Sequence, residues 1–65
     1  MKDAFGYELQ VGDIVASTSF YATLELWVVV GFTNKMVNVQ RWYRDGNRGA
    51  KTRKYPDTLA IGRPL

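Results

Sequence analysis

Hydrophobic and polar positions follow one another in short runs, and no segment keeps the 3.6-residue period of an amphipathic helix. The apolar runs are rich in β-branched and aromatic residues, and clusters of Gly, Asn and Asp separate them. Such runs favour strands, and such clusters favour tight turns. The pattern therefore predicts an all-β domain whose strands cover residues 14–18, 24–32, 36–44, 50–55 and a short closing stretch within 59–61.

The stretch 24–32 (LELWVVVGF) is the strongest strand in this pattern. Apolar residues occupy both of its faces, which is typical of a central strand or of a strand that bends and buries a different face in each half. Gly31 is the expected position of a bend or bulge. By alternation, one face carries Leu26, Val28 and Val30, and the other carries Trp27 and Val29.

The third predicted strand alternates between apolar and polar residues. Strict alternation points Val37 and Val39 inward, together with Tyr43. A bulge near residues 40–41 would exchange the faces of Trp42 and Tyr43, so the orientation of these two aromatic residues stays open. Without a bulge, the outward side chains are Asn38, Gln40, Trp42 and Arg44.

The second half of the chain completes the predicted sheet. Residues 45–49 (DGNRG) indicate a hairpin loop, and the strand that follows is charged, as is typical of a sheet edge or a solvated face. Five short strands in 65 residues favour a small closed barrel, because closure removes edges and buries an interior with little chain. We expect one domain, residues 1–65, with a short helical turn at 59–61 before the last strand.

The net charge of +3 is unevenly distributed along the chain. Residues 41–54 carry six basic side chains against Asp45 alone, a net charge of +5, whereas the remainder carries three basic and five acidic side chains, a net charge of −2. A basic segment on a slightly acidic body indicates binding to an anionic partner.

The basic segment is a candidate nucleic-acid-binding hairpin. Its cations would contact phosphates, and an exposed aromatic residue beside an arginine would offer a platform on which an unpaired base can stack. Two other interpretations stay open: a solvated edge with Trp42 and Tyr43 in the core, or a surface for an acidic protein. The candidate binding residues are Arg41, Trp42, Tyr43, Arg44, Arg48, Lys51, Arg53 and Lys54.

A second cluster of large apolar side chains suggests a different role. If Phe20, Tyr21 and Trp27 are exposed, they form a protein-interaction patch; otherwise they help to fill the small interior. A protein-interaction module is therefore the alternative function. A homodimer is a further expectation, because association would bury more apolar surface than so short a chain can bury alone.

The composition argues against an enzyme, a metal site or a cofactor. The chain has no His and no Cys, its six carboxylates are scattered, and it contains neither a P-loop nor a dinucleotide fingerprint. Residues 46–49 (GNRG) match the GXXG loop that clamps phosphates in KH domains, but a hairpin turn explains the two glycines better. We expect no catalytic residues and a purely binding role.

The chain also lacks signals for membranes or export. Residues 1–6 do not form the apolar run of a signal peptide, and the stretch 24–32 is too short to span a bilayer. The expected location is the cytoplasm, without a membrane partner.

Residues 11–15 (VGDIV), the glycine-bearing strand at 28–32 and the hairpin after it resemble the opening of SH3-like barrels of the KOW and Tudor type. The segment 59–61 after Pro56 is similar to the short turn and last strand that close such barrels. The sequence also resembles many small phage-encoded proteins. The resemblance implies a five-stranded barrel with a binding role. For a phage protein, it implies the host cytoplasm and either nucleic acid or a host protein as partner.

Overall fold

The computed structural model describes residues 1–18 and 23–61. Five strands form one antiparallel sheet in the order β4-β3-β2-β1-β5, which confirms the predicted all-β class. A 3-10 turn, Pro56–Thr58, precedes the last strand. The strands are β1 (Ile14–Thr18), β2 (Leu24–Phe32), β3 (Val37–Trp42), β4 (Arg48–Lys54) and β5 (Ala60–Ile61).

The predicted bounds of β1 and β2 are confirmed, whereas the later elements shift by a few residues. β3 is shorter than expected at both ends, and β4 begins two residues earlier than expected. The helical turn was expected at 59–61 but lies at Pro56–Thr58, because the fixed φ of Pro56 suits the first position of a turn. Leu59 is already extended, with φ −113° and ψ 147°, and leads directly into β5.

Two bulges interrupt the pairing. Between Val29 and Gly31, β2 carries one residue more than β3, which confirms the bulge expected at Gly31. In the β3–β4 ladder, Arg41 of β3 stands opposite two residues of β4, Gly49 and Ala50. The second bulge lies close to the predicted position but on the other strand, so β3 keeps its alternation and the faces of Trp42 and Tyr43 are not exchanged.

Most of the core lies on one face of the sheet, whereas Val28, which pairs with Gln40, is buried on the other face. Trp27 and Leu9 are buried, and five aliphatic side chains have no measurable exposure: Val15, Val29, Val37, Val39 and Leu59. The predicted inward orientation of Val37 and Val39 is thereby confirmed. Tyr43 is on the same side of β3, but it is 45% exposed and lies outside this core.

Asp3 joins the N-terminal segment to the end of the sheet. Its buried carboxylate accepts backbone N–H groups from Phe5 (3.0 Å) and Tyr7 (2.8 Å) through Oδ1, and from Ile61 (2.9 Å) through Oδ2. Burial raises the pKa of Asp3, but these backbone hydrogen bonds outweigh it and hold the pKa below its usual value. Residues 5–9, which alternate only weakly, form no strand; a single bridge pairs Lys2 with Glu8.

Candidate nucleic-acid interface

The pairing of β3 with β4 assigns the basic side chains to faces. Cross-strand partners point to the same side of a sheet, and successive residues alternate. Since Val37 and Val39 face the core, Asn38, Gln40 and Trp42, which alternate with them on β3, face away from it, and so do their partners on β4. This surface, the outer cationic face, consists of three pairs: Trp42 with Arg48, Gln40 with Lys51, and Asn38 with Arg53.

The three cations of the outer cationic face are available to an external anion. Arg48, Lys51 and Arg53 are exposed, and no carboxylate of residues 1–18 or 23–61 forms an ion pair with any of them. Unpaired cations of this kind give up little when they meet a phosphate, because no internal ion pair has to be broken. Their alignment therefore favours an anionic ligand that runs along β4.

An open depression of about 420 Å³ lies at one end of the outer cationic face. Val30, the extra residue in the bulge of β2, lines it together with Asn38. Among the described residues, the Asn38 amide has no hydrogen-bond partner, so its donors and its acceptor can serve a ligand. The full lining is Val30, Asn38, Lys51, Thr52 and Arg53.

Neither Asn38 nor Val30 was among the residues predicted to bind. The outward position of Asn38 followed from alternation in β3, so a signal for it existed. The part played by Val30 depends on the bulge between β2 and β3, which the sequence indicated only through Gly31.

Trp42 and Gln40 occupy the rest of the β3 side of this face. Trp42 is half-buried, so part of its indole is open to solvent and part is fixed against the sheet. The Gln40 amide donates through Nε2 to the carbonyl oxygen of Gly49 at 3.1 Å. That bond joins β3 to the bulge of β4 and holds the cationic strand in register.

Arg41 is directed to the opposite side and is bonded within the protein. Its Nη1 donates to the Leu26 carbonyl oxygen at 2.8 Å, and its Nε lies 3.5 Å from Glu25 Oε2. The guanidinium carbon lies 5.6 Å from the ring centroid of Trp27 and 4.9 Å from that of Tyr43. Although Arg41 and Tyr43 were predicted to bind nucleic acid, in the structure they contact each other and lie apart from the outer cationic face.

Lys54 also lies apart from Lys51 and Arg53. It pairs with the inward-facing Val37, and its Nζ is 4.9 Å from the ring centroid of Trp27. A cation over an indole face is stabilised by the ring quadrupole, so Lys54 has a contact of its own within the protein. The predicted basic cluster is thus divided between two faces of one hairpin.

Backbone N–H groups in the loop between β3 and β4 donate hydrogen bonds to acceptors in the same loop. The Gly46 N–H donates to the Tyr43 carbonyl oxygen at 2.9 Å, and the Asn47 N–H donates to Asp45 Oδ1 at 2.9 Å. Gly46 has φ +89°, which confirms a hairpin turn that needs a glycine. These two amides therefore already have acceptors within the loop and are not free to bind a phosphate. Arg44, in the same loop, is exposed.

The alternative protein-interaction patch is not present at Trp27. That side chain is 8% exposed and belongs to the core, so it cannot contribute an exposed surface. Of the two interpretations left open for Trp27, exposure or filling of the interior, its burial supports the second. Phe20 and Tyr21 lie outside the described residues.

Other kinds of site find no support in the part of the chain that the structure describes. Within residues 1–18 and 23–61, no three His, Cys, Asp or Glu side chains lie close enough together to hold a metal ion. No helix in the same ranges is long and apolar enough to cross a membrane.

Comparison with known proteins matches the chain to a family. A family model for a domain of unknown function (DUF7205) matches residues 1–61. The chain belongs to this family. No curated protein and no solved structure matches the sequence. The matched range includes the Asp3 hydrogen bonds, all five strands and the whole outer cationic face, so these features lie within the family's domain.

Proposed function

We propose that the protein is a non-catalytic module that binds nucleic acid through the outer cationic face, with low sequence specificity. The observation that carries the proposal is the alignment of Arg48, Lys51 and Arg53 on the same side of the sheet as Trp42, without carboxylate partners among the described residues. Phosphates are the anions that suit such a row, because each cation that meets one releases condensed counterions.

Low specificity follows from the elements available for binding. Sequence readout in duplex DNA commonly uses a helix in the major groove, and the described residues contain only one 3-10 turn of three residues. Contacts to phosphates position a nucleic acid without reading its sequence. Three phosphate contacts on a single strand predict a slope of about −2 when log affinity is plotted against log salt.

We further propose that the sheet belongs to an SH3-like barrel. Supporting this, β5 returns to the side of β1 directly after the 3-10 turn, and the bulge at Val30 allows the long β2 to bend. Hydrogen exchange tests the closure. In a closed barrel the β4 amides that do not bond to β3 are protected, whereas in an open sheet they exchange as fast as loop amides do.

Fluorescence anisotropy with a labelled oligonucleotide at two salt concentrations tests nucleic-acid binding. The double variant Lys51→Glu/Arg53→Glu should bind at least about tenfold more weakly, because it turns two attractive contacts into repulsive ones. The matched control is Lys2→Glu/Lys35→Glu, which makes the same change in net charge at two exposed lysines outside the outer cationic face. Equal losses in the two variants, or undetectable binding by the native protein at low salt, would refute the proposal.

A further inference from the structure

The outer cationic face is organised in three levels along the β3–β4 ladder. Each level places one cation of β4 beside one side chain of β3: Arg48 beside Trp42, Lys51 beside Gln40, and Arg53 beside Asn38. We infer that the ligand is single-stranded nucleic acid, its phosphates along β4, one base stacked on Trp42 and another in the depression at Asn38. This inference rests on the proposed function and specifies its ligand.

The spacing of the levels suits a single strand. Neighbouring residues on β3 are about 3.3 Å apart, so successive levels are about 7 Å apart and Trp42 lies about 13 Å from Asn38. A stretched single strand places consecutive phosphates at a similar interval. One nucleotide can therefore occupy each level, with its phosphate at the cation and its base over β3.

The two outer levels offer different chemistry to a base. Trp42 presents an indole that is partly fixed by burial, and stacking on an aromatic ring tolerates any base. At the other end, the Asn38 amide supplies donors and an acceptor toward a base edge, with the apolar Val30 beside it. The middle level is less open, because the Gln40 Nε2 donates to Gly49. Any base preference should therefore arise at Asn38.

A duplex fits this face poorly. Its bases are stacked on one another and are not free to stack on Trp42 or to enter the depression. The face also belongs to a sheet of five strands, which at about 4.8 Å per strand is roughly 20 Å wide, whereas the major groove is about 12 Å wide. The hairpin therefore cannot enter the groove as an isolated two-stranded ribbon does.

The deciding experiment uses the native protein and five labelled probes at one salt concentration. They are oligo-dT, oligo-U, an abasic strand and a duplex, each of about 12 nucleotides, and polyglutamate of equal charge. The DNA and RNA strands should bind at least about tenfold more tightly than the abasic strand and the duplex, because the abasic strand lacks bases and the bases of the duplex are paired and stacked on one another. A sugar preference is read from the comparison of oligo-dT with oligo-U.

The possible failures have different patterns. If the abasic strand or the duplex binds as tightly as oligo-dT and oligo-U, the inference is wrong but phosphate binding stands. If no nucleic acid binds, the proposed function fails as well. If polyglutamate binds as tightly as the single strands, both are replaced by recognition of an acidic protein.

Intrinsic fluorescence tests the stacking position separately. Trp27 is buried, so quenching by oligo-dT should come from Trp42 and should disappear in Trp42→Phe, whose smaller ring still allows binding. Asn38→Ala should weaken binding several-fold and reduce differences among homopolymers. The control is Phe5→Ala, which removes an exposed aromatic ring from the N-terminal turn and should change nothing. Quenching that persists in Trp42→Phe would refute stacking on Trp42.

Discussion

The carboxylate of Asp3 accepts the backbone N–H of Ile61 at 2.9 Å, across 58 residues of chain. The same carboxylate also holds the turn at Phe5 and Tyr7, so one buried anion fixes both the N-terminal segment and β5. A chain without cysteine has no disulfide to hold its ends. In this protein, hydrogen bonds to the Asp3 carboxylate connect the N-terminal segment to the last strand.

Replacing Asp3 should therefore destabilise the whole domain. In Asp3→Asn the amide nitrogen cannot accept the Ile61 N–H, and the charge that strengthens the other two bonds is lost. We expect a loss of about 1–3 kcal/mol in the free energy of unfolding, measured by urea denaturation. Asp57→Asn, at an exposed position in the 3-10 turn, should cost less than about 0.5 kcal/mol. Equal stability of the two variants would contradict this role for Asp3.

Asp3 should also make the stability depend on acid pH. Because hydrogen bonding lowers its pKa in the folded state, the unfolded chain binds the proton more readily, and its contribution is complete above the unfolded pKa of about 3.9. The contribution is lost as the pH falls through the lower pKa of the folded state. Thermal unfolding between pH 6 and pH 2 should therefore show a smaller acid-induced decrease in Asp3→Asn than in the native protein. Parallel curves would show that other groups cause the acid sensitivity.

Arg41 should matter for stability more than for binding. Arg41→Met removes the hydrogen bond to the Leu26 carbonyl oxygen and leaves Glu25 without its ion-pair partner, while it keeps much of the side-chain volume. We expect a loss of about 1–3 kcal/mol in urea denaturation. The control Arg44→Met, at an exposed loop position, should stay within about 0.5 kcal/mol of the native protein. A stable Arg41→Met protein that no longer binds oligonucleotides would reverse this assignment.

Lys51 and Lys54 carry the same charge but lie on different faces of the hairpin. Lys51→Gln removes a cation from the outer cationic face and should weaken oligonucleotide binding and make the salt slope about 0.7 less steep on a single strand. Lys54→Gln removes the cation near the indole of Trp27 and should leave the salt slope unchanged but alter Trp27 fluorescence. Identical salt slopes in the two variants would show that the two faces are not separate in function.

A methyl group at Gly49 would be tightly packed. A Cβ added there would lie 3.1 Å from Arg41 Cβ and 3.2 Å from Tyr43 Cε2, so these neighbours would have to move by a few tenths of an ångström. We expect Gly49→Ala to cost about 1–2 kcal/mol by chemical denaturation. The exposed neighbour Ala50 is the matched site, since Ala50→Ser should be nearly neutral. Full native stability in Gly49→Ala would show that this close packing is not required.

Much of the sheet could be predicted from local pattern. Continuous β-branched and aromatic residues fixed the position of β2, and alternation placed Val37 and Val39 in the core. Period-two reasoning also separates Lys54 from Lys51 and Arg53, because residues three apart on a strand face opposite ways; treating residues 41–54 as one patch overlooked that signal. The alternation of residues along the strand therefore indicates which side of the sheet each cation faces, whereas the total charge of the segment does not.

Other features depend on contacts that are distant in sequence. Nothing near Asp3 indicates that its second oxygen bonds to Ile61, because the partner lies in the last strand. The bonding of Arg41 to Leu26 likewise requires knowledge of which strands are neighbours. The position of Arg48 depends on whether the extra residue of a bulge lies on β3 or β4, which local alternation does not indicate.

That bulge makes the arrangement of cations depend on strand register as well as on residue type. Because two residues of β4 stand opposite Arg41, Arg48 returns to the side of Lys51 and Arg53. Simple alternation from Lys51 would instead place Gly49 opposite Trp42 and turn Arg48 to the opposite side, with no change in any charge. The register of this one hairpin therefore decides how many of its cations share a face.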